Sequence, residues 1–244
     1  MRIETLFTPN EIDEAAVKGK TVAIIDVLRV CTTIAYALSN GCERIIPVES
    51  VEAATNLTAS LDKKVTLLGG EKEGKRIDGF NLGNSPLEYA PEVVKGKTII
   101  MATSNGTRAI WKSQAAKEVL IASFVNMSSV VDHVSKIGDL LTIVCAGKQG
   151  RFAMEDAVCA GMVIDRLSSG DRIDLSDGSN AARALYTMNQ RSVAQIIRDS
   201  EHGRYLRSIG FESDLEVCSK VDSLRILPVV REGRIDRQKR SRKA

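Results

Sequence analysis

Gly19-Lys-Thr-Val-Ala-Ile-Ile-Asp26 and Gly96-Lys-Thr-Ile-Ile-Met-Ala-Thr103 share one pattern, a Gly-Lys-Thr turn running into an apolar stretch that ends on a polar residue. A second pair, Thr66-Leu-Leu-Gly-Gly-Glu-Lys-Glu-Gly74 and Thr142-Ile-Val-Cys-Ala-Gly-Lys-Gln-Gly150, aligns without a gap. The first pair is offset by 77 residues and the second by 76, so one spacing serves both. Between these points each copy reads helix, strand, helix: Thr32–Ser39, Arg44–Val48 and Val51–Leu61, then Thr107–Ser113, Glu118–Ser123 and Asn126–Lys136. Strands alternating with amphipathic helices predict crossover connections and a largely parallel sheet covered on both faces. Two unrelated α/β units resembling each other by chance is the competing reading, and agreement at two separate points favours duplication. Neither Gly-Lys-Thr is a phosphate loop, because the preceding Gly-x4 spacing is absent and the strand follows the motif.

Working outward, the repeat spans roughly 19–79 and 96–156, and a mainly helical part follows over 157–223. Helices are expected at Ala157–Leu167, Ser179–Met188, Val193–Asp199 and Gly203–Ile209, and a returning strand at Leu224–Val230. No Pro/Gly/Ser-rich linker interrupts the chain, so residues 1–244 read as one domain. A basic tail covers 231–244. A contact with RNA is one reading of that tail, and a solvated, frayed terminus is the favoured one.

Aromatic residues make up 4% of the chain, too few for a base-stacking platform, so no nucleic-acid partner is expected. The longest apolar runs are strand-sized, and no membrane span is expected. Five scattered cysteines with no Cys-x-x-Cys pair and no leader before Met1 read as reduced thiols of a cytoplasmic protein. Two histidines make a His-rich zinc site improbable. Assembly into a homo-oligomer is left open.

Four loops follow predicted strands, where parallel sheets bind ligands. The first carries Asp26, Arg29, Thr32 and Thr33. Asp26 closes an apolar strand and reads as a metal ligand or general base, with an Arg29 ion pair as the alternative, while Thr32 and Thr33 suit a helix cap. The second, Gly69 to Pro86, is long for a compact domain and carries Glu71, Asn84 and Ser85, the last two as caps of a helix at Pro86 or as ligand contacts. The third, Thr103 to Arg108, offers Asn105, the start of a helix at Thr107, and Arg108 as an anion pocket. The fourth, Cys145 to Gly161, gathers Lys148, Arg151, Glu155 and Asp156, a combination suited to a phosphorylated substrate with a divalent metal. It also holds Cys145-x5-Arg151, the skeleton of a cysteine phosphatase.

Ile25-Asp-Val-Leu-Arg-Val-Cys-Thr-Thr-Ile34, Gly79-Phe-Asn-Leu-Gly-Asn-Ser-Pro86, Thr103-Ser-Asn-Gly-Thr-Arg108 and Cys145-Ala-Gly with Glu155-Asp156 and Cys159-Ala-Gly161 together resemble the 2-phosphosulfolactate phosphatase family. Gly203-Arg, Gly210 and Asp214-Leu-Glu-Val-Cys218 look similar too. Departures are Cys31 for Ala or Ser, Asn81 for Asp, Ser104 for Thr, and Ala153-Met-Glu-Asp156 for Ser-Leu-Glu-Asp. The resemblance implies a three-layer α/β/α fold and a magnesium-dependent phosphatase of coenzyme M biosynthesis, acting on a small anionic phosphorylated 2-hydroxy acid. Under that reading Asp26, Glu71 and Glu155 or Asp156 hold Mg²⁺. Arg29, Arg108, Lys148 and Arg151, with Thr32, Thr33, Asn84, Ser85, Asn105 and Thr107, meet the substrate's anions. Asp26, Arg29 and Lys148 are the expected catalytic groups. Three alternatives stand beside it: Cys145 as nucleophile with Arg151, a lyase or isomerase using Lys148, and a non-enzymatic anion binder acting through the tail.

Overall fold

Along Thr21–Ile25 every residue is buried, and alternate side chains enter different cores. Ala23 and Ile25 pack in one cluster with Val158, Val163 and Met127, while Val22 and Ile24 join Ile34, Ala35 and Leu38 in another. A strand buried on both faces needs apolar residues at every position, which explains the continuous run. Helices Met127–Ile137 and Met154–Leu167 cover one face and Val30–Ser39 the other, giving three layers. Emptying one such position, as in Ile24→Ala, would destabilise by about 2–5 kcal/mol.

This arrangement comes from a computed structural model that describes residues 1–103, 105–138, 140–168, 173–190 and 192–238. The strands among the described residues are β1 (Arg2–Leu6), β2 (Thr21–Ile25), β3 (Arg44–Val48), β4 (Thr66–Lys72), β5 (Lys75–Arg76), β6 (Thr98–Ala102), β7 (Glu118–Ala122), β8 (Leu140–Cys145), β9 (Asp174–Leu175), β10 (Pro228–Arg231) and β11 (Arg234–Arg237). They form one sheet in the order β5-β4-β6-β3-β11-β10-β7-β2-β8-β1-β9.

That order shows how the two similar halves interlock. β4, β6 and β3 are parallel neighbours, and so are β7, β2 and β8. Exchanging β2 with β6, β3 with β7 and β4 with β8 turns one trio into the other, with β6 central in one and β2 central in the other. The aligned glycine segments share backbone geometry as well. Glu73 and Gly74 have φ of 52° and 75°, and Gln149 and Gly150 have 52° and 73°. Each pair turns a tight hairpin, Lys72 pairing with Lys75 and Lys148 with Arg151, as positive φ at both central positions allows.

The C-terminus corrects the sequence expectation. The returning strand is Pro228–Arg231, shorter than Leu224–Val230, and Arg234–Arg237 is a strand instead of a frayed tail. β10 and β11 form an antiparallel hairpin wedged between β7 and β3, with Ile235 fully buried. One buried isoleucine and a Glu-Gly turn make that strand, and the charges around it hid it. The rest of the basic stretch, 239–244, lies outside the described residues. Helix Glu212–Cys218 and strands β1 and β9 were also not anticipated from sequence.

Three antiparallel steps separate β3 from β7, so the halves run in opposite directions. Neighbouring strands rotate by about 20–25°, so the five steps from β6 to β2 accumulate about 100–125°. That rotation turns the carboxyl ends of the two halves toward each other. They meet closely: a Cβ added at Gly106, beyond β6, would lie 2.8 Å from Asp26 Oδ2, beyond β2.

Candidate active site

A cavity of about 290 Å³ occupies this meeting point, lined by the ends of β2, β4, β6 and β8 and by the C-terminal helix Glu201–Ser208. Asp26, Arg29, Glu71, Asn84, Asn105 and Lys148 all border it, drawn from the four loops at the strand ends. Leu28, Glu73, Gly74, Thr103, Gln149, His202 and Tyr205 complete the lining.

Asp26 leaves β2 at the mouth of helix Val30–Ser39, where its Oδ1 accepts from the Val30 amide at 3.3 Å and its carbonyl from Cys31 at 3.0 Å. The carboxylate thereby does the capping expected of Thr32 and Thr33, and the helix begins two residues earlier than predicted. Thr32 Oγ1 donates to the Val27 carbonyl and Thr33 Oγ1 to the Asn84 carbonyl, both buried behind the cavity wall. Burial pushes the Asp26 carboxyl up from 3.8 to about 7; His202 opposes the rise, while Glu71 and Glu155 add to it. A carboxyl so placed exchanges its proton near neutrality, as a general base must.

Arg29 is held on two edges. Nη1 donates to Asp214 Oδ2 at 2.7 Å, Nη2 donates to the Gly74 carbonyl at 2.6 Å, and the guanidinium lies 4.4 Å from the Phe211 ring centre. Its buried partner is therefore Asp214, not Asp26. Ser85 Oγ donates to the other oxygen of Asp214 at 2.6 Å and accepts from Leu87, capping the turn at Pro86. Asn84 is buried against the cavity, and its Oδ1 has no hydrogen-bond partner among the described residues.

The two acidic residues of the fourth loop part company, as a 100° step along a helix requires. Asp156 accepts from the amides of Val27 and Gly147, each at 2.9 Å, tying the β2 exit to the β8 exit. Both its oxygens are thus engaged by main chain. Glu155 Oε1 instead stands 3.4 Å from His202 Nδ1. Lys148 Nζ bonds Glu201 at 3.0 Å and sits 5.1 Å from the Tyr205 ring centre. Arg151 lines an adjoining cavity of about 650 Å³ that shares Lys148, Gln149 and His202.

The third loop contributes less. Asn105 reaches the cavity and accepts from the Gln149 amide at 3.1 Å. Thr107 is buried, with its amide and hydroxyl both bonded to Thr103, and Arg108 is exposed outside the lining. Cys145 is fully buried, and burial with the nearby Asp156 holds its thiol well above the usual range. A buried neutral thiol is a poor nucleophile.

Sequence reasoning missed His202, Tyr205 and Asp214. Asp214 carried a usable signal: it shares a helix face with Val217 and Cys218, and a carboxylate on an apolar face needs a buried partner.

A family model described as 2-phosphosulpholactate phosphatase matches residues 6–233. The chain belongs to this family. The matched span contains every residue that lines the cavity. Relatives named probable 2-phosphosulfolactate phosphatase include one from Caldanaerobacter subterraneus subsp. tengcongensis, 40% identical over 96% of this chain and 97% of that protein. Another from Clostridium tetani is 37% identical over 96% and 99%, and one from Clostridium acetobutylicum is 36% identical over 96% and 100%. No helix among the described residues is long and apolar enough to cross a membrane.

Proposed function

We propose that the chain hydrolyses 2-phosphosulfolactate to sulfolactate and phosphate in a magnesium-dependent reaction within the 290 Å³ cavity. The observation that carries this reading is the placement of Asp26, Glu71 and Lys148 around one cavity at the converging strand ends, in a chain of this family. Among the described residues no three carboxylate, thiol or imidazole groups form a ready-made ligand set. Mg²⁺ does not require one, since it commonly takes one or two carboxylates and leaves its other positions to water and phosphate. The donors suit a hard cation: Asp26 and Glu71 border the cavity, and both Glu71 and Glu155 disfavour the charged Asp26. Asp26 and Glu71 would hold the ion, with Glu155 adjacent, and Asp156 is left to its structural role. Bound there, Mg²⁺ would supply positive charge against the phosphoryl oxygens.

The chain's own groups do the remaining work. Lys148, fixed between Glu201 and Tyr205, faces the substrate's anions, and the Asn84 amide offers a polar contact beside it. Water attacks phosphorus as Asp26 Oδ2 takes its proton, the ester P–O bond breaks, and the departing alkoxide takes a proton from solvent to leave as the hydroxy acid.

Release of inorganic phosphate from a panel of 2-phospho acids, with Mg²⁺ and with chelator, tests the assignment. Turnover only with Mg²⁺, unchanged in Cys145→Ser, supports it. Chelator-resistant turnover abolished by Cys145→Ser would replace it with thiol chemistry. Consumption of the ester without phosphate release would point to a lyase or isomerase.

A further inference from the structure

The β4–β5 hairpin carrying Glu71 is gripped at its tip from two sides. Tyr205 Oη donates to the Glu73 carbonyl at 2.9 Å, and Arg29 Nη2 donates to the Gly74 carbonyl at 2.6 Å. The Gly74 amide donates in turn to Glu71 Oε2 at 2.7 Å. Arg29 has no freedom to drift, because Asp214 takes its other edge at 2.7 Å and both side chains are 2% exposed. The Tyr205 bond reaches the hairpin from helix Glu201–Ser208, and the Arg29–Asp214 pair ties the loop after β2 to helix Glu212–Cys218. The packing is close as well: a Cβ at Gly74 would come within 2.8 Å of Ile209 Cδ1.

We infer that Asp214 and Tyr205 are positioning residues for Glu71, acting through Arg29 and the Gly74 and Glu73 carbonyls, and that they set the affinity of the site for its divalent cation. Outer groups that orient a metal ligand typically change metal affinity by about 10–100-fold when removed. The inference rests on the reading of Glu71 as a ligand, so the experiment separates the two. Mn²⁺ binding to the full chain without substrate is measured by calorimetry and by electron paramagnetic resonance, alongside the Mg²⁺ dependence of turnover.

Wild type is expected to bind one Mn²⁺, and Glu71→Gln to weaken it at least tenfold. Failure of either result overturns the functional reading itself. With both in place, Asp214→Asn is expected to weaken Mn²⁺ about tenfold and Tyr205→Phe about threefold. Each should also raise the Mg²⁺ concentration giving half-maximal turnover by the same factor. Asp222→Asn, which breaks the Arg166 ion pair far from the cavity, should leave both quantities unchanged. If Asp214→Asn does not fold, Tyr205→Phe, which leaves the Arg29–Asp214 pair intact, decides the matter. Wild-type Mn²⁺ affinity in the variants that fold would overturn the inference.

Discussion

Replacing Asp26 by Asn should make the metal-free protein more stable at neutral pH while abolishing turnover. An ordinary aspartate titrates near 3.8, and in the fold burial moves Asp26 to about 7. The folded protein therefore binds this proton more tightly than the unfolded chain does. Below pH 3.8 the resulting stabilisation is fully present; it is lost as pH rises through about 7, where the buried carboxyl must ionise. The gap of about three pH units, at about 1.4 kcal/mol each, sets an upper figure of about 4 kcal/mol. Asparagine keeps an acceptor for the Val30 amide and carries no charge at any pH. Asp26→Asn should match wild type near pH 4 and exceed it at pH 8 by about 2–4 kcal/mol. For a chain of this length that corresponds to a rise in Tm of about 4–16 °C. Thermal melts in chelator between pH 4 and 9 provide the assay, with phosphate release measured on the same samples. A stability difference that does not grow with pH, or a variant less stable than wild type at pH 8, would refute the reasoning.

Further outcomes follow from the same geometry. Mg²⁺ should raise the Tm of wild type at pH 8 and leave Asp26→Asn nearly unmoved, because the substitution removes a charged donor. Lys148→Met should lower kcat/KM at least a hundredfold and leave the thermal melt nearly unchanged, since its ion pair with the exposed Glu201 contributes little. Gly106→Ala would place a Cβ 2.0 Å from Val30 Cγ1 and 2.8 Å from Asp26 Oδ2, so a loss of about 1–3 kcal/mol and most of the activity is expected in denaturant titration and turnover assays. Ending the chain at Arg231 would remove β11 and leave β3 without its central partner; circular dichroism should then show no cooperative transition.

Much of the site was legible because its chemistry is local to strand ends. Asp26, Glu71 and Lys148 each follow an apolar run, and a polar side chain at that place must emerge where loops gather. What sequence left open was the division of labour inside each loop. Glu155 and Asp156 are adjacent and equally acidic, and only the tertiary fold sets Asp156 against the Val27 and Gly147 amides and Glu155 against His202. Arg29 could as well have paired with Asp26; Asp214, 185 residues away, takes that place.

Apolar periodicity and turn chemistry act over neighbouring positions, so the strand–helix alternation and the residues at the strand ends could be read from the chain alone. The pairing of distant strands came only with the folded sheet, where β6 sits between β3 and β4, β2 sits between β7 and β8, and a C-terminal hairpin joins trios running in opposite directions. Tertiary structure also decided that helix Glu201–Ser208 closes the cavity with His202 and Tyr205. Strand pairing depends on which edges meet after twisting and burial, and neither is encoded in the spacing of any one segment.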